Sequence, residues 1–321
     1  MIGCGRMGIA HSRRLSEDPR SQIVAMADAS RETAVGLARQ FAADAIVYES
    51  VEELFERAEL DAVVICTPNA FHFDQATQAL HRGWHVLCEK PLCDDRGRLL
   101  KLIEDGESSG PLLMVGYQRR FWSIFRTLRN EIASGKHGRI KNITSSNAER
   151  WQQTIDGTWR DDPNINIGGF IGDAGSHKID IIFYITGLRP REVFARTDNC
   201  GSNVEIRCFA SGVLEGDIPL QLSLVGDAQN FIEDLHIHCE DSDLLLRDGR
   251  LWMARNNELQ PIEFNQEECG PESTANPVSG FLDVLTNDAA NLAPATCALP
   301  VFDFTASILE SGRTGKPVLM D

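Results

Sequence analysis

The chain lacks what several large classes of protein require. No stretch approaches the roughly 20 apolar residues of a membrane-spanning helix. Its first residues form no apolar signal core, because Arg6, His11, Arg13 and Arg14 interrupt them. Basic charge is short: 31 lysines and arginines stand against 47 acidic residues, a net charge of −16. A phosphate backbone is bound by a basic surface, so nucleic acid is not the expected partner. Nine cysteines, with no C-x-x-C pair, argue against a disulfide framework and a zinc site. Six lysines against 25 arginines say little about chemistry. The expectation is a cytoplasmic protein without metal.

What is present is ordinary globular material, with 321 residues, 42% hydrophobic and 24% charged, enough for two domains. Apolar runs at 23–27, 46–48, 62–66, 85–88 and 112–117 alternate with helical patterns such as 31–41 and 73–82. That alternation predicts α/β architecture with a doubly wound parallel sheet. Beyond Tyr117 the pattern changes. A helix over 121–134 closed by Gly135 precedes a strand over 139–148, and strand-like runs follow at 204–209, 220–225, 231–238 and 243–247. Turns such as Asp248-Gly249 suit antiparallel hairpins. Helices near 278–287 and 302–312 finish the chain. The expected division is a dinucleotide-binding domain over 1–118 and a substrate-binding and oligomerisation domain over 119–321.

Gly3, Gly5 and Gly8 form G-x-G-x-x-G, with Arg6 and Met7 between the last two glycines. In a dinucleotide loop the first glycine permits a tight turn, the second lets backbone approach the pyrophosphate, and the third lets helix pack on sheet. The helix N-terminus then binds phosphate. Asp28 ends the next apolar run, 20 residues after Gly8, where a carboxylate holds the adenosine ribose; the competing reading is a turn residue or helix cap. Asp28 favours NAD, whereas Arg31 offers a cation for the 2′-phosphate of NADP. Two residues precede Gly3, where a central strand has about five. The expectation is therefore either residues missing before Met1 or a severely short strand with unpaired neighbours.

Four further motifs follow. They are Cys66-Thr67-Pro68-Asn69-Ala70-Phe71-His72, Glu89-Lys90-Pro91-Leu92, Gly116-Tyr117-Gln118-Arg119-Arg120-Phe121, and Gly168-Gly169 with Asp173-Ala174-Gly175-Ser176-His177-Lys178-Ile179-Asp180. In this order the chain resembles the glucose–fructose oxidoreductase and inositol dehydrogenase (Gfo/Idh/MocA) family from Gly3 to Val318. The resemblance implies a second, α+β domain with an open, mainly antiparallel sheet, used to form homodimers or homotetramers. It also implies a sugar or cyclic polyol substrate lying on a nicotinamide.

Hydride transfer from an alcohol needs a proton acceptor and stabilisation of the developing alkoxide. The resemblance puts Lys90 beside the nicotinamide for the second task, and its bond to Pro91 is a candidate cis peptide. His177 is the expected acid/base. If 172–184 is helical, Asp173 projects one turn away on the same face. Thr67, Pro68, Asn69, His72 and Glu89 are expected to border the cofactor, His72 equally well as a packing or capping residue. Tyr117, Arg119, Trp159 and Arg160 are expected at the substrate, with Trp159-Arg160 ranked above Arg120, Trp122 and Trp151. Asp180 reads as structural or as a hydroxyl acceptor. His236 and His238 share a strand face without a third ligand, so packing is preferred to metal. Two other functions stay open at this point: a dinucleotide- or sugar-sensing regulator without turnover, and an NAD-dependent glycoside-modifying enzyme.

Overall fold

Parallel neighbours cannot be joined by a two-residue turn, so short apolar strands separated by amphipathic stretches must cross over through helices. A computed structural model shows this arrangement; it describes residues 1–263 and 276–320. The first stretch contains α1 (Arg6–Glu17), β1 (Ala25–Met26), α2 (Arg31–Phe41), β2 (Ile46–Val47) and α3 (Val51–Arg57). It continues with β3 (Ala62–Ile65), α4 (His72–His81), β4 (His85–Cys88), α5 (Arg96–Ser108) and β5 (Leu113–Val115). Strand β1 pairs in parallel with β2, and β3, β4 and β5 pair in parallel in that order. Ile2 bridges both groups, to Ala27 on one side and Ile65 on the other. The order β2-β1-Ile2-β3-β4-β5 is the doubly wound, Rossmann-type order.

In the central position Ile2 bridges to both sides, and the neighbours expected to lie unpaired are paired there. Ile2 N–H donates to Val64 O at 2.9 Å, and Cys66 N–H donates to Ile2 O at 2.7 Å. On the other flank Gly3 N–H donates to Ala27 O and Ala27 N–H to Met1 O, both at 3.0 Å.

The chain divides into two compact units. The first takes Met1–Gln118 and a later stretch that closes at Leu299; the second begins at Arg119 and resumes at Pro300. The chain crosses at 118, as the expected division has it, and also returns to the first unit before Leu299. The cause of the return is main-chain pairing and charge: Val115 N–H donates to Ala293 O at 2.9 Å, and Arg20 lies 2.6 Å from Asp283 on the helix Pro277–Asn287.

In the second unit α6 (Ser123–Ala133), β6 (Ile140–Arg150), the single turn α7 (Gly169–Gly172) and α8 (Ala174–Thr186) come first. The strands β7 (Pro190–Asp198), β8 (Arg207–Leu214), β9 (Ile218–Val225) and β10 (Asp227–Cys239) follow. The hairpin strands β11 (Asp243–Arg247), β12 (Arg250–Arg255) and β13 (Glu258–Ile262) come next, and β14 (Val318–Leu319) ends the described chain. They form one sheet in the order β13-β12-β11-β10-β6-β9-β8-β7-β14, antiparallel except for β6 beside β9. Helix α8 is apolar nearly all round and buried. Phe183 on α8 meets Phe304 of the helix Ala298–Thr314 edge-on, 5.6 Å between ring centres. Asp248-Gly249 and Asn256-Asn257 take positive φ between β11, β12 and β13, as two-residue hairpin turns require.

Candidate cofactor loop and candidate catalytic residues

Each motif glycine meets a different constraint. A Cβ on Gly3, at φ 83°, would stand 2.6 Å from the Cys66 carbonyl carbon, and one on Gly8 would stand 2.2 Å from Gly3 O. At Gly5 a Cβ meets nothing within 4 Å. Gly5 is the N-cap of α1, no side chain caps that helix start, and Gly5 and Arg6 are exposed. At the end of the next strand Asp28 accepts Cys4 N–H on Oδ2 at 2.7 Å and Ser30 N–H on Oδ1 at 2.9 Å. The carboxylate thus braces the loop and the following turn, and each oxygen keeps a second acceptor site. An open loop, an uncapped helix start and a carboxylate at the strand end fit a pyrophosphate and a ribose diol. Arg31, expected as a possible 2′-phosphate partner, is exposed and paired with Glu49 at 2.6 Å.

The 66–72 segment follows β3. Thr67 donates its hydroxyl to Gln75 at 2.7 Å, and Pro68 leads into a 3₁₀ turn. Asn69 is buried, and its Oδ1 has no partner among the described residues. His72 takes the packing position, expected of it equally well. It is 1% exposed, with Nδ1 2.8 Å from Pro91 O and Nε2 2.8 Å from Thr67 O. It ties two loops together, and burial pulls its imidazole below the usual pKa.

Glu89 likewise turns inward, 2.7 Å from His11 Nε2. Burial acts to raise its carboxyl pKa, but the His11 hydrogen bond and the His11 and Lys90 charges outweigh that and hold it below the ordinary value. Lys90 is partly accessible and its bond to Pro91 is cis, as the motif predicts.

In the second unit α8 starts at Ala174, not at 172. Asp173 is its N-cap, at φ −85° and ψ −87°, so the expected arrangement of two residues on one helical face is replaced by a cap residue and a first-turn residue. The Asp173 carboxylate accepts from Arg160 Nε at 2.9 Å. The Arg160 guanidinium lies 4.3 Å from the ring centre of Trp159, which is half-exposed. Asp173 and His177 are both partly accessible, whereas the neighbouring charges are buried. Asp180 receives a two-pronged bond from Arg120, the shortest contact 2.6 Å, which makes it structural; burial nonetheless keeps its carboxyl above the usual pKa. Lys178 lies 2.9 Å from Glu233, and burial, then the Arg119 charge, lowers its pKa.

Two residues expected at the substrate are buried. Tyr117 is 1% exposed, and Arg119 is buried in an ion pair with Glu233, its guanidinium over the rings of Trp122 and Phe125. Trp151 packs on Phe170. His238 pairs with Asp243 and His236 with Arg247, and no group of three metal-ligating side chains occurs among the described residues.

Sequence reasoning missed His11 and the Lys178–Glu233 pair. The signal for His11 was its place three residues after Gly8, on the helix face that packs against the sheet; for Lys178 it was a lysine inside an otherwise apolar helix.

A doubly wound sheet with an open glycine loop, followed by a unit built on a large mixed sheet, defines a two-unit dinucleotide-binding protein. The chain belongs to the GFO/IDH/MocA oxidoreductase family. Residues 1–117 match the family's model for the oxidoreductase NAD-binding Rossmann fold, and residues 125–241 match its GFO/IDH/MocA C-terminal domain. The chain is similar to inositol 2-dehydrogenase of Rhizobium meliloti strain 1021, 30% identical over 61% of this chain and 56% of that protein. It is also similar to glucose-6-phosphate 3-dehydrogenase of Bacillus subtilis strain 168, 29% identical over 58% of this chain and 52% of the relative. The matched region thus spans about half the length of these relatives. The solved structure of an oxidoreductase domain protein from Kribbella flavida shares the fold, with a TM-score of 0.88 at 21% identity over 100% of this chain and 98% of that one.

The loop geometry separates two glycine substitutions. Gly8→Ala should lower the thermal midpoint, because its methyl group collides with backbone. Gly5→Ala should leave the midpoint within about 1 °C and weaken NAD binding roughly tenfold or more, because the methyl group enters the space where backbone meets pyrophosphate. Calorimetry and titration with NAD measure both; equal midpoints for the two variants would refute the assignment.

Proposed function

We propose that the chain is an NAD-dependent oxidoreductase that oxidises a hydroxyl, or reduces a carbonyl, of a sugar or cyclic polyol. The observation that carries the reading is the contrast on α8: Lys178 and Asp180 are buried and paired, while Asp173 and His177 stay partly accessible. The names of the two relatives support the substrate class. Gly3, Gly5, Arg6, Met7, Gly8 and Asp28 would hold the dinucleotide, with Thr67, Pro68 and Asn69 bordering it. When bound, the nicotinamide supplies the hydride acceptor or donor. His177 takes the hydroxyl proton, and Lys90 stabilises developing negative charge beside the nicotinamide. Asp173, held by Arg160, orients the hydroxyl, and Trp159 offers a flat face to the ring.

Asp28 and the engagement of Arg31 by Glu49 favour NAD over NADP. Cytoplasmic residence accords with the free, buried Cys4, Cys88 and Cys208, and no helix among the described residues is long and apolar enough to cross a membrane. Assembly into a homodimer or homotetramer would use the sheet of the second unit. Phe194 and Phe209 are exposed on one face of β7 and β8, 36% and 53% accessible, and sedimentation of Phe209→Lys against the parent chain tests that. An unchanged mass refutes it.

Sugars and polyols screened with NAD and with NADP, followed by absorbance of the reduced cofactor, test the activity; NAD binding without turnover of any would indicate a sensor. With a turned-over polyol, His177→Ala should cut kcat about 10²–10⁴-fold at nearly constant NAD affinity, and full activity would refute the mechanism. Asp28→Asn keeps an acceptor for Cys4 N–H and removes the charge, so it should weaken NAD binding while relieving repulsion of NADP. Parallel losses for both cofactors would overturn the NAD preference.

A further inference from the structure

We propose that His11 and Glu89 are positioning residues for Lys90, coupling the helix that begins at the glycine loop to the turn that carries the lysine. The inference rests on the reading of Lys90 as the group beside the nicotinamide. Gly8 and His11 share the buried face of α1. His11 is 0% exposed, and its Nε2 lies 2.7 Å from Glu89 Oε1. The other carboxylate oxygen, Oε2, accepts the main-chain N–H of Lys90 at 3.3 Å. A single carboxylate therefore joins α1 to the peptide that begins Lys90, and rotating it breaks both bonds together.

Two further observations support this role. A buried carboxylate is costly unless donors meet its lone pairs, and His11 and the Lys90 N–H are donors that do so. Gly116 leaves this carboxylate its space: a Cβ there would stand 2.9 Å from Oε1 and 3.0 Å from the carboxyl carbon. On the far side of the turn His72 Nδ1 lies 2.8 Å from Pro91 O. The backbone is thus held on both flanks while the Lys90 side chain stays partly accessible. His11 is buried within the first unit and acts through Lys90.

The test uses the whole protein and two polar replacements of His11. Gln places an N–H donor near the position of Nε2; Asn is too short to reach Glu89. Lys90 labelling by trinitrobenzenesulfonate is followed by peptide mass spectrometry with and without NAD, while tryptophan fluorescence reports NAD affinity and calorimetry the thermal midpoint. The parent and His11→Gln should show strong protection of Lys90 by NAD. His11→Asn and Gly116→Ala, which disturb the carboxylate from opposite sides, should lose about tenfold of that protection, the scale of one hydrogen bond to a charged group. NAD affinity should change less than about threefold, and the loss of protection should exceed what the lowered midpoint of a less well paired carboxylate accounts for. Full protection in His11→Asn, or equal losses in Asn and Gln that track the midpoint, overturns the positioning role. Absence of protection in the parent chain overturns instead the reading of Lys90 beside the nicotinamide.

Discussion

The first unit depends on main-chain hydrogen bonding at Met1, Ile2 and Gly3. Among the described residues this short segment links the β1–β2 pair to the three strands β3–β5: Ile2 bonds to Val64 and Cys66 on one side, and Met1 and Gly3 bond to Ala27 on the other. A parallel sheet interrupted there would present two edges of unpaired donors and acceptors, each costing about 1–3 kcal/mol if buried. The same short segment turns at Gly3 against the Cys66–Thr67 peptide and leads into α1. Sheet continuity, loop shape and the aim of the helix start are therefore one constraint.

The second unit uses charge differently. Arg120 with Asp180, and Arg119 and Lys178 with Glu233, fix α8 and the 118–121 turn from inside. Removing one member of a buried pair leaves an uncompensated charge, which costs more than the pair contributes. Such groups suit the scaffold, and the partly accessible Arg160–Asp173 pair and His177 are better placed to meet a ligand.

Much of this was legible in the sequence for a physical reason. Period-two and period-3.6 patterns report which face is apolar, so β3, β4, α2 and the late helices lie close to where they were expected. The glycine spacing and Asp28 were legible because backbone close approach admits few residues. Direction was harder to read. His72, Glu89, Tyr117 and Arg119 all sit in the motifs expected to form the site, yet each points inward, because a polar or aromatic residue beside a strand end has the same local signature whether it clamps two loops or faces solvent. Asp173 was placed in a helix that starts one residue later. The partner of His11 was not legible because it lies 78 positions away, although the buried face that carries His11 was.

The rims of the second unit's sheet bear on how copies of the chain can meet. One outermost strand, β13, carries Pro261, which has no N–H to offer, and the other, β14, is two residues long. Neither rim is a template onto which a further strand could zip. Growth of the sheet from chain to chain into an open-ended ribbon is thereby discouraged.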